Sequence, residues 1–167
     1  MGIGGIRMSD GEQSKQVVLR LINNVMNSGD IDVIDELLDD EFVNHGGEIG
    51  GTPPGMTEKQ LFKRVAQNHR DTMGDLRVDI LEAIAEGEEV VVRSILNARH
   101  TGTMFGMKPT GNQLRFPVIH MYRVRDGKVT DHWECRDEAE MFRQLEAVPP
   151  PLVQRIKGTN EQRGHHD

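Results

Sequence analysis

Helices early in the chain and long β-rich runs later predict an α+β fold: a cone-shaped, curved antiparallel sheet with N-terminal helices packed over it, enclosing a pocket. Three observations carry this. Apolar residues recur at helical spacing before residue 70, strand-like runs follow Met73, and Asp126-Gly127 joins the last two runs as a hairpin turn. At 167 residues the chain makes one domain large enough for a core. Residues 1–12 are expected as a flexible N-terminus, 13–148 as the domain, and 149–167 as a proline-rich polar tail.

Ser9 and Glu12 have capping-box spacing, and Val18, Leu21, Ile22 and Val25 form one stripe of a helix running to Asn27. Gly29 suits its stop, and Asp30 suits the cap of a shorter helix that buries Ile31, Ile34, Leu37 and Leu38. Residues 41–45 read as a short strand closed by Gly46 and Gly47, and 47–55 as loop. Thr57 and Gln60 repeat the capping-box spacing at the head of a third helix reaching Arg70, with Leu61, Phe62, Val65 and His69 along one face. From Leu76 the period is two, and a slip in phase at Leu81-Glu82 predicts a bulge. The strongest strand starts at Val90 and runs to His100. The segment 101–111, with Phe105 near its tip, is either a cover over a cavity mouth or a plain connection.

The hairpin organises the rest. With Asp126-Gly127 as a two-residue turn, Arg125 faces Lys128, and strict alternation then opposes Tyr122 to Asp131, His120 to Trp133, Val118 to Cys135 and Phe116 to Asp137. That shared face is mostly apolar, yet it carries His120, Asp131 and Asp137. A purely structural strand rarely buries such groups, so this face is expected to form a pocket wall. The opposite face holds Ile119, Met121, Arg123, Thr130, His132, Glu134 and Arg136, and its apolar members predict a homodimer through the sheet. Asp137 is open to two readings, a general base or the N-cap of a closing helix to Leu145. His120 is either a proton donor to an enolate oxygen or a half-buried sheet residue. His45 and His100 end strands beside glycines, where pocket-rim residues tend to lie.

Composition excludes other classes. A net charge of −7 argues against a nucleic-acid-binding face, which needs a basic patch. No apolar run approaches the ~18 residues of a membrane span, and the N-terminus lacks the apolar core of a signal peptide. The single Cys135 makes no internal disulfide, which fits a reducing compartment, so the expected location is the cytoplasm. No two histidines have the i, i+4 spacing of a helical metal pair, and no Gly-x-Ser-x-Gly elbow occurs, so neither a metal nor a serine nucleophile is expected.

Several segments, taken in order, resemble one family. They are Asn27-Ser28-Gly29-Asp30, Phe42-Val43-Asn44-His45, His100-Thr101-Gly102 with Phe105-Gly106 and Pro109-Thr110-Gly111, the run from Tyr122 to Val129, and His132-Trp133 with Asp137. Together they resemble SnoaL-like polyketide cyclases over nearly the whole domain. The resemblance implies the nuclear-transport-factor-2-like cone and an intramolecular aldol condensation that needs no metal or organic cofactor. It also implies that Asp137 matches the acid/base aspartate. If the protein is an enzyme, His120 or His100 is expected to stabilise the enolate. His45, Phe105, Phe116, Val118, Trp133 and Cys135 are then expected around a small apolar or polyketide-like molecule. The alternative is the same cone holding such a molecule without transforming it.

Overall fold

The structure, a computed structural model, describes residues 9–46 and 52–146. Expectations for residues 1–8, for 47–51 and for the tail from 147 onward lie outside the described residues. The first helix, α1 (Asp10–Ile22), starts at Ser9, whose hydroxyl accepts the Glu12 N–H at 3.3 Å. Helix therefore already occupies part of the segment expected to be flexible. Its last turns widen into a π-helical stretch, Asn23–Ser28, ended by Gly29 at φ +79°. A side chain at Gly29 would be strained and would also meet the Arg70 guanidinium at 2.6 Å. Arg70 donates to the Met26 carbonyl at 3.0 Å, answering one of the acceptors that a helix end leaves open.

The short helix α2 (Val33–Leu37) starts later than Asp30. The Asp30 N–H instead bonds the Asn24 carbonyl, so this residue closes the preceding turn rather than capping the next helix. In α3 (Glu58–Thr72) both halves of the expected capping box form between Thr57 and Gln60. The closing helix α4 spans Glu138–Gln144.

Five strands make one sheet: β1 (Leu38–Asn44), β2 (Met73–Glu86), β3 (Glu89–His100), β4 (Gln113–Arg125) and β5 (Lys128–Arg136). Their spatial order is β1-β5-β4-β3-β2. The last four in sequence pair antiparallel, and β1 adds to β5 as a parallel edge strand. The phase slip in β2 is a bulge in which Leu81 is the extra residue between the Ile80–Ser94 and Glu82–Arg93 pairs. A second shift lies between Gly74 and Arg77, where the Asn27 amide bonds both backbone groups of Val78 (2.7 and 3.0 Å). Bulges bend a strand, and α1 and α3 pack on the inner side of the bend. The core runs from Val18, Leu21 and Ile34 to Val90, Val92 and Val129, and continues through Leu114, Phe116 and Met141. Among the described residues no helix is long and apolar enough to cross a membrane.

Candidate active site

The hairpin opens as expected. Asp126 and Gly127 have φ of +49° and +76°, as a two-residue turn with both central residues left-handed requires. Arg125 faces Lys128 and Val124 faces Val129. Then the register shifts: Arg123 pairs with Asp131, and Thr130 is left as the extra residue of a bulge. Because side chains alternate, one inserted residue turns the remainder of β5 over. Tyr122 now faces His132, His120 faces Glu134, and Val118 faces Arg136, while Asp131, Trp133 and Cys135 go to the outer side. The physical reason is legible at Asp131. Strict alternation would set its charge against buried Tyr122, whereas on the outer side it accepts from His45 Nε2 and Thr130 Oγ1, both at 2.8 Å.

On the inner side the helices and sheet enclose a cavity of about 360 Å³. The helical wall is Leu21, Ile22, Val25 and Met26 from the first helix and its π-helical end, with Phe62, Val65 and His69 from α3. The sheet contributes Val78, Ser94, Leu96, Phe116, Val118 and Tyr122, and the 101–112 connection adds Thr103, Met104 and Phe105. Polar groups gather at one end: Asn44, Gly46, His120, His132, Glu134 and Arg136.

Of the residues expected here, His120, Phe105, Phe116 and Val118 line the cavity and the other five do not. Trp133 lies outside, stacked on His45 with ring centroids 4.3 Å apart and the Arg123 guanidinium 5.4 Å from its ring. Cys135 is exposed on that same side. Asp137 is exposed and accepts the Glu140 N–H at 2.9 Å, so its observed position is that of the helix cap. His100 is fully buried and holds the 101–112 connection: Nδ1 accepts the Thr110 N–H at 3.2 Å, and its carbonyl takes the Gly111 N–H at 2.9 Å. Sequence reasoning did not place His132, Glu134, Arg136 and Asn44 in the cavity. The available signal was the charge that strict alternation buries at Asp131.

Glu134 Oε1 lies 3.1 Å from Arg136 Nη1, and its Oε2 lies 3.7 Å from His120 Nδ1. His120 Nδ1 is in turn 3.0 Å from His132 Nε2, and His132 Nδ1 is 3.0 Å from Asn44 Oδ1. Burial, assisted by the Arg136 charge, pushes His120 down to about 4 from its ordinary 6.5. Burial likewise lowers His132, helped by the neighbouring His120 and His45, and it lowers His69. Burial and the Glu134 charge raise the Tyr122 phenol. Both central imidazoles are therefore neutral near pH 7. One ligand atom each from His120, His132 and Glu134 lies within 4.8 Å of the others, a spacing that a divalent cation could bridge. Two local features oppose that use: the cation would replace the imidazole–imidazole hydrogen bond, and it would sit beside the Arg136 guanidinium.

Comparison with known proteins agrees with this architecture. The family model for SnoaL-like polyketide cyclases matches residues 16–145. The nogalonic acid methyl ester cyclase of Streptomyces nogalater is 26% identical over 127 residues, covering 73% of this chain and 90% of that one. The aklanonic acid methyl ester cyclase AcmA of Streptomyces galilaeus is 28% identical over 134 residues, covering 79% of this chain and 91% of that one. Among solved structures, TsrD from Streptomyces laurentii shares the fold with a TM-score of 0.72 at 21% identity, over 84% of this chain and 100% of the other. By sequence and by fold, the chain belongs to the SnoaL-like polyketide cyclase family.

Proposed function

We propose that the protein closes a ring in a polyketide-like carbonyl compound by acid/base chemistry inside the cavity. The observation that carries this reading is the convergence of a carboxylate, a guanidinium and an imidazole at one end of a largely apolar chamber. Glu134, rather than Asp137, takes the role of base and removes a proton α to a carbonyl. Arg136 takes up the negative charge that develops on the enolate oxygen, which a fixed cation does effectively where water is scarce. The enolate carbon then attacks a second carbonyl of the same molecule, one carbon–carbon bond forms, and Glu134 returns its proton to the new alkoxide. Substrate and product are isomers, so the step needs no oxidant, reductant or cofactor. The working molecule is a cytoplasmic homodimer joined through the outer side of the sheet, where Ile119 and Val91 are exposed.

The test uses nogalonic and aklanonic acid methyl esters, the compounds in the relatives' names. After dialysis against a chelator, the protein should convert one of them to an isomer of equal mass and different retention. Glu134→Gln should lose about 10²–10⁴ in rate, the usual worth of a general base, while affinity stays within a few-fold. Tight binding of both esters without conversion would favour the ligand-holding reading instead.

A further inference from the structure

The polar end of the cavity contains a chain of hydrogen bonds whose direction can be worked out from one end to the other. It starts at the Gly46 N–H, which donates to Asn44 Oδ1 at 3.3 Å. That contact identifies the atom as the amide oxygen, because an NH2 group there would face another donor. The same oxygen lies 3.0 Å from His132 Nδ1. An amide oxygen only accepts, so His132 carries its hydrogen on Nδ1. A neutral imidazole has one N–H, which leaves a lone pair on His132 Nε2. That lone pair faces His120 Nδ1 at 3.0 Å, so His120 must donate from Nδ1. The lone pair of His120 is thereby left on Nε2, which has no hydrogen-bond partner among the described residues, on a side chain that lines the cavity.

Several contacts hold the chain in this direction. The His132 ring is stacked against Tyr122 at 4.7 Å and meets the Phe62 ring edge-on at 5.5 Å, so it is not free to turn. The backbone N–H of Asn44 is bound by the Glu58 carboxylate at the head of α3. Gly46 runs so close to β5 that a Cβ on it would meet Glu134 N at 3.2 Å. Reversing the chain would set the His132 Nδ1 lone pair against the Asn44 oxygen, an unsatisfied buried contact of the kind that structures avoid.

We propose that Asn44 and His132 are positioning residues that fix the tautomer of His120, so that the cavity meets its ligand with an imidazole acceptor and selects compounds presenting a phenolic or enolic O–H at that point. This reverses the role expected for His120, which was to donate to an enolate oxygen. The tautomer stands on the hydrogen bonds alone. The ligand preference rests on the reading of the cavity as a small-molecule site.

The experiment is long-range 1H–15N correlation of the imidazoles in the full chain, labelled at histidine, at pH 7. His120 should show a protonated Nδ1 and a bare Nε2 in the ligand-free protein; a protonated Nε2, or an even mixture, overturns the proposal. Asn44→Leu should convert His120 to a mixture and Asn44→Asp should not, because the carboxylate still accepts from His132. An unchanged tautomer in Asn44→Leu removes Asn44 from the proposal. The wild-type spectra and a pair of probes keep the idea falsifiable if that variant does not fold. The probes are 2-naphthol and 2-methoxynaphthalene, alike in shape and differing in the O–H. Naphthol should shift the His120 Nε2 resonance and bind about tenfold more tightly, the worth of one hydrogen bond. Equal binding removes the ligand preference alone. Binding of neither removes it together with the reading of the site on which it rests.

Discussion

The two sides of the β4–β5 hairpin carry nearly the same kinds of residue. Inside are Tyr122, His120, His132, Glu134 and Arg136; outside are Trp133, His45, Asp131, Glu89 and Arg123. Each side therefore has an aromatic ring, histidine, carboxylate and guanidinium within reach of one another. What separates them is the burial of the histidines and the chamber that the inner set borders. Outside, Arg123 meets Glu89 at 2.6 Å and His45 meets Asp131 at 2.8 Å, both at the rim of solvent. Burial there works to raise the Asp131 carboxyl, but the bonds from His45 and Thr130 and the Arg123 charge outweigh it and hold the group below its ordinary range. Inside, burial drives the imidazoles neutral and leaves Glu134 and Arg136 facing an apolar chamber. Residue type does not make a site here; the inner imidazoles are set apart by depth, and Glu134 and Arg136 by the apolar chamber they border.

The comparison can be broken most sharply by activity. Glu134→Gln should lower ester cyclisation by about 10²–10⁴, whereas Asp131→Asn and Asp137→Asn should each change it by less than about threefold. A collapse in Asp137→Asn would return the chemistry to the helix cap and undo the assignment. Stability gives the next largest contrast. Phe116 is buried on the inner side, so Phe116→Ala should cost about 3–5 kcal/mol in urea unfolding, against less than about 2 kcal/mol for half-exposed Trp133→Ala. Equal losses would mean that the outer face is as well packed as the inner one.

The two sides should also lose stability in different pH windows. The unfolded chain protonates His120 near its ordinary 6.5 while the folded chain resists until about 4, so the unfolded state binds more protons between these values. Stability is full above pH 6.5 and declines as pH falls toward 4. The lowered carboxyl of Asp131 keeps its contribution above its ordinary 3.8 and loses it only on further acidification. Melting temperatures from pH 7.5 to 3 should therefore show His120→Gln making the upper window shallower, with buried His132 and His69 supplying the remaining slope, and Asp131→Asn making the lower one shallower. Identical profiles for both variants would erase the distinction. The mildest test concerns assembly. Light scattering at micromolar concentration should give twice the chain mass, and Ile119→Lys should return it to the monomer. A monomeric wild type rules out the outer face as a dimer surface.

Much of this was legible from residues alone. Thr57 with Gln60 marks the head of α3, Asp126-Gly127 marks the hairpin turn, and the slip at Leu81 marks a bulge, because each is a local rule acting within a few residues. The inner face of β4 follows by alternation from the turn, so Phe116, Val118 and His120 were found. The inner face of β5 was not, because Thr130 interrupts the alternation for a reason that lies elsewhere in the chain: Asp131 is met by His45, which follows β1, and β1 pairs parallel with β5 only in the folded sheet. Apolarity also misleads here, since it draws Trp133 and Cys135 inward and His132, Glu134 and Arg136 outward. His100 was misplaced for a related reason. Its position beside Thr101-Gly102 resembles a rim, but Gly102 is there because a Cβ at that position would meet the Thr72 backbone at 2.7 Å, and the imidazole turns to the loop instead.

The bulge at Thr130 has a consequence for how such a cavity changes through descent. Losing that single codon would remove the bulge and leave every other residue of β5 on its present side, because Val129 already faces inward and Asp131 outward, as alternation between neighbours requires. A one-residue insertion or deletion between Asp131 and Arg136 has the opposite effect, since it turns every later residue of the strand over. The bulge is therefore the one place in β5 where the length of the gene can change by a codon while Glu134 and Arg136 keep facing the chamber.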